Sequence, residues 1–262
     1  MLYVYCPRAS AGALELVRAL GAHRLRRFDG LDFWDRRRRV PIKEGDAIIC
    51  WGATCPEFDG IKVLNGLMKP VNKLRELEIL NEAGIPSITL YDEAPRNVKP
   101  DVLIPRTIKH QGGRDVLHRP EYPDFYVLKE DFVAEYRIHS FDGKSIRAGV
   151  KVPRDGFTPV ANEKDWRPNE NLVHPWVRSF DAGWRVNYDG FKSNARMRKV
   201  AHSAVKALGL TFAAVDLAET ANGVIKVLEC NRAPGIEGGS VMAYAKAIRS
   251  WLDGKPEPES VE

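Results

Sequence analysis

The sequence lacks any hydrophobic run approaching the roughly 20 residues that are needed to cross a bilayer. Its first residues, Met1–Pro7, lack the basic start and the long apolar core of a signal peptide, and they predict a β-strand instead. Neither a membrane-spanning segment nor a membrane partner is therefore expected. These absences favour a cytoplasmic protein.

Cysteine and histidine are scarce and show no recognisable spacing. Of Cys6, Cys50, Cys55 and Cys230, only Cys50 and Cys55 lie close together, and their spacing matches no standard metal motif. Each lies in or beside an apolar stretch, which favours buried thiols in a reducing compartment over a metal site or a disulfide. The six histidines have no transition-metal spacing. No Ser-His or Cys-His signature indicates a covalent nucleophile.

The composition is that of an ordinary soluble protein with a small basic excess. The 262 residues include 40 Lys and Arg and 35 Asp and Glu, a net charge of +5. Basic residues are dense at Arg24, at Arg26-Arg27 and at Arg36–Arg39. Such a run forms a solvated basic face or attracts a polyanion or an acidic substrate. Because few aromatic residues are interleaved with it, nucleic acid is a possible partner that the sequence does not indicate.

The first part of the chain alternates strand and helix. Tyr3–Cys6 is predicted to be a strand, and the apolar stripe of Ser10–Leu20 predicts a helix that ends at Gly21. The apolar run Asp46–Trp51 predicts a buried strand of a parallel sheet. These patterns predict a small α/β lobe.

Beyond residue 70 the pattern changes to longer strands and hairpins. Asn72 is predicted to cap a helix that ends at Gly84. Further predicted elements are strands at 85–90, 102–107 and 125–128, a hairpin at 135–152, and helices at 193–208 and 240–252. The irregular stretch 154–189 predicts a long functional loop or lid, and the polar tail from Gly254 predicts disorder.

The segment Thr211–Asn231 carries the strongest chemical signal. Two β-rich runs flank Asn222-Gly223, which predicts a hairpin with a two-residue turn. Counting pairs back from that turn places Asp216 opposite Glu229 and Ala214 opposite Asn231. Residues opposite each other share a face, so Asp216, Glu229 and Asn231 are predicted to project together. Val215, Leu217, Leu228 and Cys230 are then expected to face a core.

Two opposed carboxylates repel each other unless a cation lies between them. Two carboxylates and an amide suit a hard cation such as Mg²⁺, which also binds phosphate oxygens. The small residues Ala214 and Ala218 leave room for a ligand. The alternative is the solvent-facing polar side of an edge hairpin.

At this hairpin the sequence resembles the ATP-grasp superfamily. The signature is an aspartate on one strand and a glutamate and an asparagine two apart on the next, followed by Pro-Gly. Here it reads Val215-Asp216-Leu217 and then Leu228–Gly235. The resemblance implies an α/β and α+β fold in which two α+β lobes enclose ATP. The lobes are expected at 1–70 (N-terminal α/β), 71–132 (central) and 133–253 (C-terminal), with a disordered tail at 254–262.

The resemblance also suggests which residues bind the nucleotide. The glycine-rich basic turn after Ile104 resembles the phosphate-covering loop, with Arg106 standing in for the usual strand lysine, although such a turn is often only a turn. Tyr126–Phe132 is similar to the hinge that holds adenine. The expected nucleotide ligands are Arg106, His110, Gly112, Gly113, Arg114, Lys129, Glu130, Phe132 and Glu135.

Three basic residues are candidates for catalysis in the same comparison. Arg137 follows Glu135 in an acid-x-Arg pattern, Lys151 ends the next strand, and Arg232 follows the proposed metal ligands. Arg137 and Lys151 would offset the charge that develops in phosphoryl transfer, and Arg232 would reach a negatively charged substrate. The alternative is that they are surface charges. Aromatic and basic residues of the irregular stretch could form a substrate lid, namely Trp176, Arg178, Trp184, Arg185 and Lys192.

The activity implied by the resemblance is an ATP- and Mg²⁺-dependent ligase. It would join a carboxylate to an amine (an amino acid, peptide or protein) through an acyl phosphate, with ATP and Mg²⁺, or Mn²⁺, as cofactors. The alternatives are an ATP-grasp phosphotransferase and a non-catalytic basic protein that binds nucleotide or nucleic acid. A homodimer is compatible with the superfamily, and the sequence leaves the oligomeric state open.

Overall fold

The computed structural model describes residues 1–8, 10–29, 32–66, 71–108 and 121–254. The predicted disordered tail, apart from Gly254, lies outside these residues. Among them, no helix is both long enough and apolar enough to span a membrane.

The first part of the chain forms a parallel sheet with a helix packed on it. Its strands lie in the order β2-β1-β6-β7, and every neighbouring pair is parallel. The bounds are β1 (Leu2–Tyr5), β2 (His23–Leu25), β6 (Ala47–Cys50), β7 (Lys62–Leu64) and helix α1 (Ala11–Leu20). The Ser10 side chain accepts a hydrogen bond from the Ala13 N–H, and Gly21 ends the helix at a φ of 64°. The predicted α/β pattern is confirmed here.

A second small sheet lies between β2 and β6 in the chain. Its antiparallel strands are β3 (Arg27–Phe28), β4 (Phe33–Asp35) and β5 (Arg38–Val40). The sequence did not predict these strands because each is only two or three residues long and rich in charge. The basic run Arg36–Arg39 therefore forms a hairpin tip and an edge strand.

The central part contains a helix and an antiparallel sheet in the order β8-β10-β9. The bounds are α2 (Lys73–Glu82), β8 (Leu90–Tyr91), β9 (Leu103–Arg106) and β10 (Phe125–Leu128). Asn72 caps α2 as predicted. The strand expected at 85–90 is reduced to a bridge between Ser87 and Val227 followed by β8.

The last part is built on an antiparallel sheet in the order β15-β12-β11-β16-β17. Its strands are β11 (Phe132–Phe141), β12 (Lys144–Pro153), β15 (Trp184–Asn187), β16 (Phe212–Thr220) and β17 (Ile225–Asn231). The irregular stretch carries β13 (Thr158–Pro159) and β14 (Leu172–Val173), and the helices are α3 (Ala195–Ala207) and α4 (Gly239–Leu252).

Two apolar cores hold this sheet between its neighbours. Helix α3 buries Ala201 and Val205 against Val215 and Leu217 of β16. Helix α4 packs instead with the first part of the chain, where Tyr244 meets the rings of Trp51 and Phe212. Helix α4 thus covers one end of the face opposite α3, and the rest of that face borders a cleft. Although α4 falls within the predicted 133–253 lobe, its apolar side is shared with the N-terminal lobe.

One close contact ties α1 to the loop that follows β17. A Cβ added at Gly12 would lie 2.8 Å from the backbone N and O of Ile236. We expect Gly12→Ala to lower the free energy of unfolding by about 1–3 kcal/mol, because the backbone must move to relieve the overlap. Urea denaturation measures this change.

Gly235→Ala is the matched control, since no atom lies within 4 Å of a Cβ at that position. Its free energy of unfolding should stay within about 0.5 kcal/mol of the wild-type value. Equal stability of the two variants would contradict the tight contact.

Candidate active-site cleft

A cleft of about 1180 Å³ opens between the central and C-terminal sheets. The cleft face of β11 presents Glu135, Arg137 and His139 at alternate positions. Its wall includes apolar residues at one end and a charged patch at the other: Ile88, Ile104, Val127, Leu228, Lys73, Glu135, Arg137, Lys151, Asp216, Glu229 and Asn231. The irregular stretch 154–189 closes one side with Trp176, Arg178, Trp184, Arg185 and Tyr188.

The predicted pairing of Asp216 with Glu229 is present, but the predicted turn is wrong. Thr220 and Val224 close the hairpin through the Thr220 N–H and the Val224 carbonyl, so the loop has three residues, Ala221 to Gly223. Gly223 has a φ of 76°. Such a loop shifts the register by one residue, and a β-bulge beyond Val227 shifts it back. Asp216 then lies opposite Glu229, and Ala214 lies opposite Asn231.

The bulge changes the direction of Leu228. In the hairpin predicted from the sequence, Leu228 faced a core with Cys230. In the structure the extra residue lets Leu228 and Glu229 both line the cleft, while Val227 and Cys230 stay buried. The bulge therefore places an apolar side chain directly beside the carboxylate pair.

Asp216 is almost fully buried and is surrounded by cations. The Arg137 guanidinium donates two hydrogen bonds to its carboxylate, at 2.7 and 2.8 Å. Lys151 Nζ lies 3.3 Å from Asp216 and 2.9 Å from Glu135. Burial by itself would raise the pKa of Asp216, but Arg137 and Lys151 hold it well below its usual value. Asp216 is therefore a carboxylate at any ordinary pH.

Glu229 has a cation partner that the sequence interpretation missed. Lys73, the first residue of α2, forms an ion pair with the Glu229 carboxylate. Burial raises the pKa of Glu229, but Lys73 more than offsets that effect. Three residues further along α2, Glu76 accepts a hydrogen bond from the Cys230 N–H at 2.7 Å. From the sequence alone, a capped helix was enough to explain Asn72-Lys73. Only the packing of α2 against β17 shows that Lys73 is the partner of Glu229.

The apolar end of the cleft is bordered by polar side chains of the hinge after β10. Lys226 Nζ lies 2.6 Å from the Glu130 carboxylate, and Thr89 donates to the same group at 3.4 Å. The Lys129 ammonium points to the irregular stretch, 4.4 Å from the ring centre of Trp176. The cleft thus joins an apolar slot to a dense set of charges.

Comparison with known proteins relates this architecture to solved structures. The chain aligns over 97% of its length with 99% of the ATP-grasp ligase PsnB solved with a minimal precursor, at a TM-score of 0.61 and 15% identity. D-alanyl-alanine synthetase A of Vibrio cholerae aligns over 97% of both chains at a TM-score of 0.57 and 11% identity. The chain has the ATP-grasp fold.

Sequence comparison finds curated relatives as well. A probable alpha-L-glutamate ligase 2 of Shewanella amazonensis is 32% identical over 186 residues, which is 64% of this chain and 57% of that protein. A probable alpha-L-glutamate ligase 1 of Shewanella sp. strain W3-18-1 is 31% identical over 204 residues, covering 70% and 63%. The chain spans less than two thirds of the length of these relatives. No family model matches the sequence.

Within the ATP-grasp fold, most residues singled out in the sequence meet in the cleft. Its lining includes nine of them: Arg106, Lys129, Glu130, Phe132, Glu135, Arg137, Lys151, Asp216 and Glu229. Asn231 also lines it, and its side-chain oxygen accepts a hydrogen bond from the Ala233 N–H at 2.9 Å. Arg232 is not among the described lining residues, and its carbonyl accepts the Gly52 N–H. His110, Gly112, Gly113 and Arg114 lie outside the described residues.

The proposed metal ligands form an oxygen-rich set on one face of the hairpin. Among the described residues there is no group of three or more His, Cys, Asp or Glu side chains that could hold a metal. The set here has two carboxylates and one amide, a composition that suits Mg²⁺ with phosphate oxygens completing its shell. Lys73, Arg137 and Lys151 compensate the negative charge of the two carboxylates. A divalent cation bound between them would supply the same compensation. Asp216, Glu229 and Asn231 therefore have the chemistry that a bound Mg²⁺ ion requires.

A buried hydrogen-bond network supports the charged patch from below. The two ring nitrogens of His139 lie 2.9 Å from the Tyr188 hydroxyl and 3.2 Å from the Tyr244 hydroxyl. Tyr188 lies over Gly149, where a Cβ would come within 2.8 Å of its ring, and it also bonds to Ser240. The network thus links β11, the end of the irregular stretch 154–189 and helix α4. No local pattern could have predicted it, because the partners are 49 and 105 residues apart.

Burial of His139 predicts a pH dependence of stability. Burial, with Arg137 nearby, lowers the pKa of His139 to about 3, so the folded protein keeps the ring neutral. In the unfolded chain the ring takes up a proton below about pH 6.5, so stability is lost as the pH falls. We expect a loss of about 2 kcal/mol at pH 5 from this residue alone.

Urea denaturation of wild type and His139→Gln between pH 7 and pH 5 tests the effect. The variant should be less stable at pH 7 but should lose less stability on acidification. His23→Gln, at an exposed position, should keep the wild-type slope. Equal slopes for wild type and His139→Gln would contradict a neutral buried ring.

Proposed function

We propose that this chain is an ATP- and Mg²⁺-dependent ligase that joins a carboxylate to an amine through an acyl phosphate. The observation that carries the proposal is the face on which Asp216, Glu229 and Asn231 meet Arg137 and Lys151 beside an apolar slot. Glutamate ligases among the relatives and a peptide precursor complex among the similar structures support an amino acid or peptide as substrate.

The apolar slot is proposed to hold the adenine base. Ile88, Ile104, Val127 and Leu228 supply flat apolar contact, and the backbone of the hinge after β10 supplies hydrogen-bonding groups. Lys129, Glu130 and Phe132 would then lie near the sugar and the base. Arg106 is proposed to bind the phosphates together with His110, Gly112, Gly113 and Arg114 of the glycine-rich segment that follows it in the sequence. The three lobes at 1–70, 71–132 and 133–253 are part of the same proposal.

Asp216, Glu229 and Asn231 would hold Mg²⁺, which when bound offsets charge on the phosphate oxygens. Arg137 and Lys151 already contact the Asp216 carboxylate, so they lie within reach of an anionic group bound against this face. Their charge would stabilise the transferred phosphoryl group and the acyl phosphate. Arg178, which donates a hydrogen bond to the Phe132 carbonyl, would keep the lid over this reaction centre. Arg232, beside Asn231, stays a proposed catalytic residue.

Removal of either proposed metal ligand should weaken metal-dependent nucleotide binding. We expect Asp216→Asn and Glu229→Gln to weaken Mg²⁺-dependent ATP binding by at least about tenfold, because each loses a charged metal ligand. Calorimetric titration with and without Mg²⁺ measures the effect, and thermal unfolding checks that each variant is folded.

Glu219→Gln is the matched control. Glu219 lies on the same strand as Asp216 but bonds to the Tyr136 hydroxyl and does not line the cleft. It should bind ATP as the wild type does. Unchanged binding in both Asp216→Asn and Glu229→Gln would refute the metal site.

The reaction class has its own test. Wild-type protein with ATP, Mg²⁺ and hydroxylamine should release ADP and form a hydroxamate when a suitable amino acid or peptide is added, because hydroxylamine traps an acyl phosphate. Mass spectrometry identifies the product. A stable phosphorylated product that resists hydroxylamine would instead indicate a phosphotransferase.

A further inference from the structure

Most of the net positive charge of this protein comes from one short segment. Residues 24–40 contain seven arginines and three aspartates, which leaves +4 of the chain's net +5. No lysine occurs in this segment. The proposed ligase chemistry does not use it.

The segment folds into the small sheet β3-β4-β5, called here the arginine sheet, with the Arg36-Arg37 turn at its tip. One face is inward, where Phe28, Phe33 and Val40 pair across the strands and join an apolar cluster. The other face carries Arg27, Trp34 and Arg39, which are also directly opposite one another. Basic side chains therefore share one outward surface.

Three aspartates hold parts of this surface in place. Asp35 pairs with Arg26 at 3.1 Å, Asp32 pairs with Arg39 at 2.6 Å, and Asp29 accepts the Trp34 indole N–H at 2.9 Å. Arg27 and Arg36–Arg38 are exposed and make no ion pair with any residue that the structure describes. The arginine sheet thus presents four uncompensated guanidinium groups to solvent.

The arginine sheet starts at the edge of the N-terminal lobe that lines the cleft. Strands β1 and β2 are parallel, so their carboxyl ends lie at the same edge. The chain after β1 leads to Ser10, Ala11 and Gly12, which line the cleft, and the chain after β2 enters β3. Arg24 joins the two by donating hydrogen bonds to the carbonyls of Cys6 and Arg8, at 3.1 and 2.9 Å.

We propose that the arginine sheet binds an acidic stretch of polypeptide at the mouth of the cleft. Guanidinium groups pair with carboxylates through two parallel hydrogen bonds, and four unpaired ones clustered on this small sheet and its turn favour a chain with several carboxylates. The binding of an acidic peptide is independent of the proposed function. The further statement that this peptide is the substrate of the ligase rests on the proposed function.

The aromatic side chains favour a peptide over a single-stranded nucleic acid. Binding of single strands relies on exposed aromatic faces on which bases stack. On this sheet Phe28 and Phe33 face inward, and the half-buried Trp34 is held by Asp29. This surface therefore offers a ligand more charge complementarity than base stacking, which favours an acidic peptide.

Fluorescence anisotropy with a labelled oligo-glutamate peptide of about ten residues, which when extended is longer than the width of the three strands, tests the proposal without ATP. Wild-type protein should bind the peptide, and binding should weaken as salt is raised. Arg37→Glu/Arg38→Glu should weaken binding by at least about tenfold, because two attractive contacts become repulsive. Mg²⁺-ATP binding by this variant should equal that of the wild type, which separates this surface from the cleft.

Lys199→Glu/Lys206→Glu is the matched control, with the same charge change at exposed positions of α3. It should bind the peptide as the wild type does. Equal loss in both double variants would show a general charge effect and overturn the proposal, as would a wild type that does not bind. Tighter binding of a single-stranded RNA of similar length, lost in Arg37→Glu/Arg38→Glu, would also overturn it and indicate a nucleic-acid surface. If the wild-type protein did not bind ATP, the proposed function would fail, but the conclusion about peptide binding would still hold.

Discussion

The geometry of the cleft depends on compensation of two neighbouring carboxylates, the buried Asp216 and the half-buried Glu229. Asp216 and Glu229 lie opposite each other on adjacent strands, a pairing that is unfavourable unless positive charge is close. Arg137 comes from β11, Lys151 from β12 and Lys73 from α2. Because these cations belong to three different elements, the charge balance of one pair holds the central helix and the C-terminal sheet together. Loss of one partner from a buried pair such as Lys151 and Asp216 typically costs about 3–5 kcal/mol, and the more exposed pair of Lys73 and Glu229 contributes less.

Arg137, Lys151 and Lys73 also allow the site to exchange one source of positive charge for another. A divalent cation bound to Asp216 and Glu229 would supply the charge that Arg137, Lys151 and Lys73 now supply. The basic groups would then be available to anionic oxygens bound in the same cleft. The same side chains thus balance the folded protein and serve the proposed chemistry. The His139 network lies beneath this patch and stays neutral, so it adds rigidity without further charge.

Local patterns predicted most of the fold. The cap at Asn72, the helix end at Gly21 and the long apolar strands were visible because they depend on neighbouring residues. The arginine sheet was missed because its strands are too short and too charged for a periodic signal. Lys73 and Tyr188 were missed for a different reason. Their roles follow from approaches between elements far apart in the chain, and no local pattern encodes such contacts.

The hairpin shows how a correct pairing can follow from an incorrect turn. A two-residue turn without a bulge and a three-residue turn with one bulge give the same partner for Asp216, so the sequence alone could not distinguish them. They differ at one residue, because the bulge directs both Leu228 and Glu229 into the cleft. A regular hairpin would turn Leu228 to the core and leave Val227 beside the carboxylate pair. The bulge exchanges these two residues, so that Val227 stays in the core and Leu228 lines the cleft beside Glu229. The extra residue in β17 therefore decides which apolar side chain borders the proposed base and metal sites.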